Sequence, residues 1–364
     1  MSESAETLSL PERGRIALVR LSALGDVINT LPALTALRWA RPEAHLTWIV
    51  EPASAGVLRD HPLLDDVVVA DRKRWSKALR QARSLRAVAG EMGEFSRRLR
   101  DAGFAAAIDF QGNLRSGVVT YLTRAPLRVG LGRRDGKEMT HLFTNRHVPL
   151  PPEPLHRVER SLHVLECLGI DTADAEPVLP VRDADRERVD ALLAECGLAC
   201  GAFATIHAGV SAFGRYKQWP NDRWAAVVSR LRDELGLCVV LTRGPADAEA
   251  EGAEAIARRA AADALVAPLL SLGELAELCR RCRVFLSVDT GPMHLASAAG
   301  APVIALFGPK DPRLYGPYFG SSAIVEKDLE CRPCRKRSCD DPRCMLAIQP
   351  GDVMDAVRRL MRDA

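Results

Sequence analysis

Short β-rich apolar runs alternate with stretches of helical periodicity in the first half of the chain. Residues 15–21 read RIALVRL and are followed by the turn-like SALGD and a helical pattern, VINTLPALTALRWA. Further apolar runs follow at 45–50, 67–70 and 104–110. Strands that alternate with helices predict βαβ units and a parallel sheet with both faces covered.

The same rhythm restarts after a helical stretch at 156–170. Four more apolar runs follow it, at 203–209, 237–244, 284–291 and 302–308. The predicted fold class is therefore α/β, with two doubly wound parallel-sheet domains of similar size that face a cleft. Ligands of such sheets bind outside the carboxyl ends of the strands, so the loops after the strands are expected to carry the chemistry.

The composition is that of a soluble globular protein. Of the 364 residues, 47% are hydrophobic and 27% are charged, which excludes a mainly disordered chain, a collagen-like repeat and a small disulfide scaffold. No apolar run approaches the roughly 18–20 residues of a membrane-spanning helix. The N-terminus also lacks the basic start and apolar stretch of a secretory signal, so we expect a cytoplasmic protein.

Basic residues are concentrated in the first part of the chain. Residues 1–150 contain 23 Lys and Arg against 16 Asp and Glu, although the whole chain carries a net charge of only +3. Residues 72–100 are strongly basic, have a helical pattern and include Trp75. This segment is either an exposed connecting helix or a surface that meets an anionic partner.

The first candidate loop is LSALGDVINTLPAL at 21–34, where Gly25 allows a tight turn and Asp26 starts the next helix. Asp26 either caps that helix or holds a carboxylate able to take a proton from an incoming hydroxyl. The second loop follows the strand at 203–209. There Gly209 and Ser211 would let a backbone approach a phosphate, and Lys217 offers a compact cation.

The third candidate loop is VDTGPMHLASAAG at 288–300. A strand ends at Asp289, Thr290 or Asp289 can cap the next helix, and Gly291 removes side-chain bulk. A helix N-terminus of this kind has free N–H groups and a positive dipole end, which suits an anion. His294 lies on the first turn and is a candidate contact for the same anion.

Together these loops resemble those of glycosyltransferase family 9, the heptosyltransferases that add heptose to the lipopolysaccharide inner core. The resemblance is carried by SALGD, DFQGNLRS at 109–116, KQWP, DTGPMHLASAAG continued through APVIALFGPKDP, and the Cys-rich tail. It covers nearly the whole chain. The IVEPA stretch at 49–53 and the RKRW segment look most like the heptosyltransferase I branch.

The resemblance implies the GT-B fold, with two Rossmann-like domains. It implies an N-terminal acceptor-binding domain at 1–175, a C-terminal ADP-sugar donor-binding domain at 176–350 and a final helix at 351–364. The implied reaction moves heptose from ADP-heptose to Kdo2-lipid A with inversion at the anomeric carbon. The implied partners are this donor, the anionic lipid A/Kdo acceptor and the inner leaflet of the inner membrane, where the protein would be peripheral. No nucleic acid is expected.

The resemblance also implies roles for individual residues. Asp26 takes the position of the catalytic base, and Lys217 that of the lysine on the donor phosphates. The implied donor-binding set is Gly209, Ser211, Lys217, Asp247, Glu249, Asp289, Thr290, Gly291 and His294, with the choice between Asp247 and Glu249 for the nucleoside left open. The implied acceptor-binding set is Arg20, Gln111, Asn113, Arg115, Arg133 and Arg134.

No cofactor is required by any feature of the sequence, because no DxD-type pair lies at a strand end in the donor domain. The tail contains Cys331, Cys334, Cys339 and Cys344 at a compact spacing. This spacing is compatible with a structural zinc site, with packed free thiols or with one or two disulfides, although a cytoplasmic setting disfavours disulfides.

Three alternatives stay open from the sequence. Within the family, the chain could be a heptosyltransferase II or another transferase with a different acceptor. Outside it, the same architecture would suit a nucleotide-sugar epimerase. A noncatalytic protein that binds an ADP-sugar or lipid A is the third alternative, and the presence of both Asp26 and Lys217 argues against it.

Overall fold

The structure is a computed structural model that describes residues 10–80, 85–260, 264–334 and 338–363. The chain divides into two compact units, Met1–Pro180 and Val181–Ala364. The sequence pattern placed this boundary at 175/176 and separated the last helix from both domains. In the structure that helix packs against strands of the second unit and belongs to it.

The first unit contains a six-stranded parallel sheet. Its strands are β1 Gly14–Val19, β2 Ala44–Val50, β3 Asp66–Val69, β4 Phe104–Asp109, β5 Leu127–Leu131 and β6 Arg146–Val148. Its helices are α1 Leu24–Ile28, α2 Leu31–Ala40, α3 Pro52–Ala55, α4 Arg72–Arg80, α5 Leu85–Asp101, α6 Leu114–Leu122 and α7 Arg157–Glu166. Short 3₁₀ turns cover Gly56–Leu58 and Thr140–Leu142.

The second unit repeats this plan. Its strands are β7 Phe203–His207, β8 Cys238–Thr242, β9 Ala264–Val266, β10 Val284–Val288, β11 Val303–Phe307 and β12 Ser322–Glu326. Its helices are α8 Asp183–Glu195, α9 Asn221–Leu235, α10 Asp247–Arg259, α11 Leu272–Arg281, α12 Gly291–Ala298, α13 Pro312–Tyr315, α14 Arg343–Leu346 and α15 Pro350–Asp363. A 3₁₀ segment covers Ala212–Lys217.

The two sheets have related strand orders. The first runs β3-β2-β1-β4-β5-β6, and the second runs β12-β11-β10-β7-β8-β9. If the strands of each unit are numbered from 1 to 6, the first order is 3-2-1-4-5-6 and the second is 6-5-4-1-2-3, which is the same order read from the β9 edge with the outer strands in the reverse sense. All the pairs are parallel. The prediction of two doubly wound sheets is confirmed. The strand order reverses between β1 and β4 in one unit and between β7 and β10 in the other, and ligands of such folds bind at these points.

Each unit has an apolar core of its own. In the second unit the indoles of Trp219 and Trp224 are fully buried and meet edge to face, with ring centroids 4.8 Å apart. The Trp219 Nε1–H donates to the backbone carbonyl of Ile348 at 3.1 Å, so the buried polar atom of this indole is satisfied. The Trp-Pro pair of the second loop motif therefore serves the core.

The basic segment at 72–100 forms two helices that pack on each other; residues 81–84 lie outside the described part of the chain. Trp75 is only 9% exposed and contacts Phe95 with ring centroids 5.3 Å apart. Its Nε1–H donates to Glu91 at 3.2 Å. Trp75 therefore does not belong to the exposed surface of this segment, because its indole joins α4 to α5. No helix in the described residues is long and apolar enough to cross a membrane.

Replacement of Trp75 by alanine tests this role. We expect Trp75→Ala to lower the free energy of unfolding by about 3 kcal/mol, since it removes a large buried side chain and leaves a cavity. Trp39→Ala is the matched control: this indole is 59% exposed in the same unit, and its removal should change stability by no more than about 0.5 kcal/mol. Urea unfolding monitored by circular dichroism measures both, and equal effects would contradict a core role for Trp75.

Candidate active site

The loop after β1 is organised by a buried arginine. Arg20 follows the strand directly and is only 5% exposed. One guanidinium nitrogen donates to the backbone carbonyl of Phe110 at 2.5 Å, and another lies 2.7 Å from Oδ1 of Asp26. Burial lowers the pKa of Arg20, and the nearby Asp26 carboxylate opposes this effect. Arg20 therefore holds the loop in place through buried contacts with Phe110 and Asp26. The sequence analysis had included it in the acceptor-binding set.

Asp26 caps α1, and its side chain is also partly exposed. Its Oδ2 accepts the backbone N–H of Ala23, the N-cap residue of α1, at 3.4 Å. Its Oδ1 faces Arg20 and lies 3.9 Å from Nε of Arg157. About a third of the side chain is exposed. The carboxylate is thus held in one orientation, with part of its surface accessible to a ligand.

A fully buried carboxylate, Asp109, organises the end of β4. Oδ1 accepts the backbone N–H groups of Gln111 at 2.9 Å and Gly112 at 3.0 Å. Oδ2 accepts the hydroxyls of Ser116 at 2.9 Å and Thr140 at 3.3 Å. Burial raises the pKa of Asp109, and these hydrogen bonds oppose the shift. Asp109 therefore fixes the turn that leads from β4 into α6.

The predicted acceptor residues of this turn are divided between structural and accessible positions. The Gln111 side chain accepts the backbone N–H groups of Leu21 at 2.9 Å and Ser22 at 3.3 Å, which ties the two loops together. Asn113 is the N-cap of α6, where its Oδ1 accepts two backbone N–H groups at 3.1 Å. Arg115 follows on the exposed surface.

Arg133 and Arg134 lie in the loop after β5, and both are exposed. Arg134 pairs with Asp135 at 3.2 Å and donates to the carbonyl of Leu150 at 2.9 Å. Arg115 and Arg133 are the predicted acceptor residues whose exposed guanidinium groups have no such contact among the described residues. Roles of these arginines toward an acceptor stay predictions.

In the second unit a lysine and an aspartate meet at the reversal of strand order. Lys217 ends the 3₁₀ segment after β7, and Asp289 follows β10 directly. Nζ of Lys217 lies 2.6 Å from Oδ2 of Asp289 and 3.3 Å from its backbone oxygen. Both side chains are largely buried, at 18% and 11% exposure. The structure thus joins two of the predicted donor residues into one contact that fixes the direction of the ammonium group.

The N-terminus of α12 lies next to this pair. Thr290 is the N-cap, but its hydroxyl meets Ser287 at 3.0 Å and the carbonyl of Val288 at 3.2 Å rather than a helix N–H. Gly291 begins the helix and His294 is buried on its first turn. Because the cap side chain does not take the N–H groups of this turn, they remain suited to an anion.

The structure distinguishes Glu249 from Asp247. Both lie on the first turn of α10, but Asp247 is exposed, whereas the side chain of Glu249 is 13% exposed. Oε2 of Glu249 accepts the backbone N–H of Gly244 at 2.9 Å. A Cβ atom placed on Gly209 would lie 2.6 Å from the same oxygen. A side chain at position 209 would collide with the Glu249 carboxylate unless that carboxylate moved. The carboxylate closes the space between the turns after β7 and β8.

His207 completes this group at the end of β7. It is 3% exposed, its Nδ1 lies 3.0 Å from the hydroxyl of Thr242, and its Nε2 lies 3.8 Å from Glu249. Burial lowers the pKa of His207 to about 4, so the ring is neutral at physiological pH. Ser211 is exposed and begins the 3₁₀ segment as its N-cap.

The four cysteines of the tail differ in their burial. Cys331 and Cys339 are exposed, Cys334 is half-buried and Cys344 is buried against the loop after β11. Outside residues 335–337 and the other undescribed positions, no group of three or more His, Cys, Asp or Glu side chains could hold a metal ion. The described residues do not fit the structural zinc site, and we assign no step to one.

Three residues of these sites were not singled out from the sequence: Asp109, Arg157 and His207. Asp109 and His207 each end a strand next to a reversal of strand order, and this position was the available signal. Arg157 is 131 residues from Asp26 in the chain and reaches it through the packing of α7 against α2. No local pattern in the sequence marks it.

The chain is similar to known proteins in sequence and in fold. A sequence profile for Glycosyltransferase family 9 (heptosyltransferase) matches residues 92–344. The chain is 34% identical to lipopolysaccharide heptosyltransferase 1 of Pseudomonas aeruginosa over 327 residues, which cover 89% of this chain and 87% of that protein. It is 29% identical to lipopolysaccharide heptosyltransferase 1 of Escherichia coli over 314 residues, which cover 85% of this chain and 92% of that protein. The solved structure of E. coli heptosyltransferase WaaC with ADP matches at 26% identity with a TM-score of 0.75, covering 95% of this chain and 99% of that one.

The buried, neutral His207 predicts a dependence of stability on pH. The unfolded chain protonates this histidine near pH 6.5, whereas the folded protein does so only near pH 4. Its contribution is therefore complete above about pH 6.5 and is lost as the pH falls toward 4, by about 3 kcal/mol in all. Urea unfolding at stepped pH should show a smaller loss for His207→Gln than for the wild type. Parallel curves for the two proteins would contradict the assignment.

Proposed function

The chain belongs to glycosyltransferase family 9, the heptosyltransferases, and we propose that it transfers heptose from ADP-heptose to the inner core of lipopolysaccharide. The observation that carries this proposal is the second-unit site. There the Lys217–Asp289 pair, the open N-terminus of α12 and the Glu249 carboxylate lie at the reversal of strand order. These groups match the phosphates and the nucleoside of an ADP-sugar.

Each group of the donor site has a chemical task. An ammonium group has three N–H donors, and two of those of Lys217 meet oxygens of Asp289. The third is available for a phosphate oxygen as far as the described residues show. The N–H groups of α12 take a second phosphate oxygen. Glu249 accepts hydrogen bonds from the ribose hydroxyls, and Asp247, on the exposed side of the same turn, has no such role.

The reaction moves one proton and one glycosyl group. The acceptor hydroxyl gives its proton to Asp26, and its oxygen bonds to the anomeric carbon of the heptose. The bond from that carbon to the diphosphate breaks, and ADP leaves with the bonding electrons. Attack from the face opposite the diphosphate inverts the anomeric configuration. Arg20 and Arg157 hold the carboxylate in place, while Lys217 and the α12 N-terminus stabilise the charge on the leaving group.

The acceptor we propose is Kdo2-lipid A, as for heptosyltransferase I. Support comes from the similarity to proteins named lipopolysaccharide heptosyltransferase 1 and from the exposed arginines Arg115 and Arg133 near the first-unit loops. This acceptor is anchored in a membrane by its acyl chains, so the enzyme works as a peripheral protein at the cytoplasmic face. Heptose transfer assayed by mass spectrometry on Kdo2-lipid A and on the already heptosylated core separates this proposal from a heptosyltransferase II activity. Conversion of the donor without acceptor would indicate an epimerase.

Asp26→Asn tests the proposed base. The amide keeps the shape of the side chain and can still accept the Ala23 N–H, but it cannot take a proton. We expect kcat to fall about 10²–10⁴-fold, while the Kd of ADP is unchanged.

The matched control is Asp66→Asn, which neutralises a carboxylate paired with Arg98 at the start of β3 in the same unit. It should retain wild-type kcat. Near-normal turnover by Asp26→Asn would restrict Asp26 to its structural role at the start of α1.

Gly209→Ala tests the placement of Glu249. The added Cβ displaces the carboxylate, and the loss of a charged hydrogen bond to ribose should raise the Kd of ADP about tenfold or more. Gly214→Ala is the matched control, since its Cβ would make only ordinary contacts at 3.5 and 3.6 Å. In isothermal titration with ADP, Glu249→Gln should show a raised Kd like that of Gly209→Ala. Asp247→Asn should have the Kd of the wild type. The reverse order for the two acidic residues would overturn the assignment.

A further inference from the structure

Exposed apolar side chains are concentrated in one place on the first unit. Of the twelve large hydrophobic residues that are exposed in the described part of the chain, five lie on α6 and the adjoining 3₁₀ turn. They are Leu114, Val118, Tyr121, Met139 and Leu142, with exposures between 39% and 65%. We call this group the α6 face. Scattered exposed apolar residues need no explanation, but a contiguous group marks an interaction surface.

Helical spacing and close packing bring the members of the α6 face together. Leu114, Val118 and Tyr121 are four and three residues apart, so they follow one side of the helix. The helix packs closely on the turn through Gly117, where a Cβ atom would lie 2.8 Å from the Thr140 hydroxyl oxygen. Leu142 ends this turn, and Met139 directly precedes it as its N-cap. Edge-to-face contact of Tyr121 with Phe143, at 6.2 Å between centroids, adds to the same junction.

Arginines border the α6 face. The guanidinium groups of Arg124 and Arg128 lie over the Tyr121 ring, 4.8 and 5.7 Å from its centroid. Arg115 is exposed on the first turn of α6. None of the three has a carboxylate within ion-pair distance in the described residues, whereas Arg72, Arg74 and Arg98 of α4 and α5 are all paired with acidic side chains. Arg115, Arg124 and Arg128 therefore place positive charge beside the apolar group.

We propose that the α6 face docks on an anionic lipid bilayer. The five apolar side chains enter the boundary between headgroups and acyl chains, and the exposed Arg115 and Arg124 contact the phosphates. A second copy of this chain fits less well, because a two-fold interface through the α6 face would bring the arginine borders of both copies together.

The position of the α6 face relative to the first-unit site supports a bilayer. Helix α6 begins at Leu114, directly after the turn that Asp109 organises, and Gln111 of that turn holds the loop of Asp26. A bilayer at α6 would thus lie close to the residues proposed to meet a membrane-anchored acceptor. In this respect the inference rests on the proposed function, but the docking itself requires neither donor nor acceptor.

Vesicle co-sedimentation without substrates tests the docking. The probes are vesicles of phosphatidylethanolamine with phosphatidylglycerol, and neutral vesicles of phosphatidylcholine. We expect the triple variant Val118→Ser/Met139→Ser/Leu142→Ser to bind the anionic vesicles at least about tenfold more weakly than the wild type. The control is Trp39→Ser/Met92→Ser, which removes two comparably exposed apolar side chains from α2 and α5 and should bind as the wild type does.

Arg124→Glu separates the electrostatic contribution from the apolar one. Charge reversal should weaken binding to the anionic vesicles several-fold and reduce its dependence on salt, with little change on neutral vesicles. Equal binding of the triple variant and the wild type to anionic vesicles would overturn the proposal. So would a concentration-dependent dimer of the wild type that the triple variant abolishes.

A comparison of two acceptor forms separates failure of the docking from failure of the proposed function. With acceptor embedded in vesicles, the triple variant should lose kcat/KM in proportion to its lost binding. With acceptor whose acyl chains have been removed, it should match the wild type, and an equal loss on both forms would overturn the α6 face as a docking surface. A wild type that binds vesicles as expected but transfers no heptose would refute the proposed function alone.

Discussion

A buried charge requires partners, and the first-unit site depends on how this requirement is met for Asp109. The carboxylate has no exposure to water, and four N–H and O–H groups converge on it. Loss of any one of these hydrogen bonds would leave part of a buried charged group without a partner, which is costly in free energy. The turn after β4, the start of α6 and the Thr140 turn are therefore fixed together. Through Gln111 the same arrangement fixes the loop after β1, and with it Asp26.

In the second unit the largely buried charge is a cation, Lys217, and its partner is an anion. An isolated lysine in the largely buried position of Lys217 would be disfavoured. Asp289 supplies the opposite charge at 2.6 Å and leaves part of the ammonium group for a ligand. The Glu249 carboxylate is placed by a backbone N–H and by the small size of Gly209. In both units, then, the strand ends provide the positions, and hydrogen bonds to charged groups provide the orientation.

The sequence was informative wherever burial is uniform along a strand. The eight runs predicted as strands are confirmed, and Asp26, Gln111, Lys217 and Asp289 follow β1, β4, β7 and β10 as expected, while their roles stay predictions. Strands β6 and β12 were not predicted because exposed positions interrupt the apolar run at these sheet edges. Strand β9 has only three residues, and β5 contains an arginine and a glycine. The burial of Trp75 could not be predicted, because its partner, Phe95, lies on another helix. The sequence could not separate Asp247 from Glu249, because both lie on the first turn of α10 and the fold decides which of them is buried.

The burial of the tryptophans has a spectroscopic consequence. Trp48, Trp219 and Trp224 are fully buried, Trp75 nearly so, and Trp39 is 59% exposed. Iodide in solution should therefore quench one emitter of the five, and the emission that survives should be blue-shifted. The edge-to-face indole pair lies in the second unit, while the other three tryptophans lie in the first. Phenylalanine in place of Trp48 and Trp75 would leave the Trp219–Trp224 pair to report melting of the second unit, with the quenchable Trp39 as internal reference.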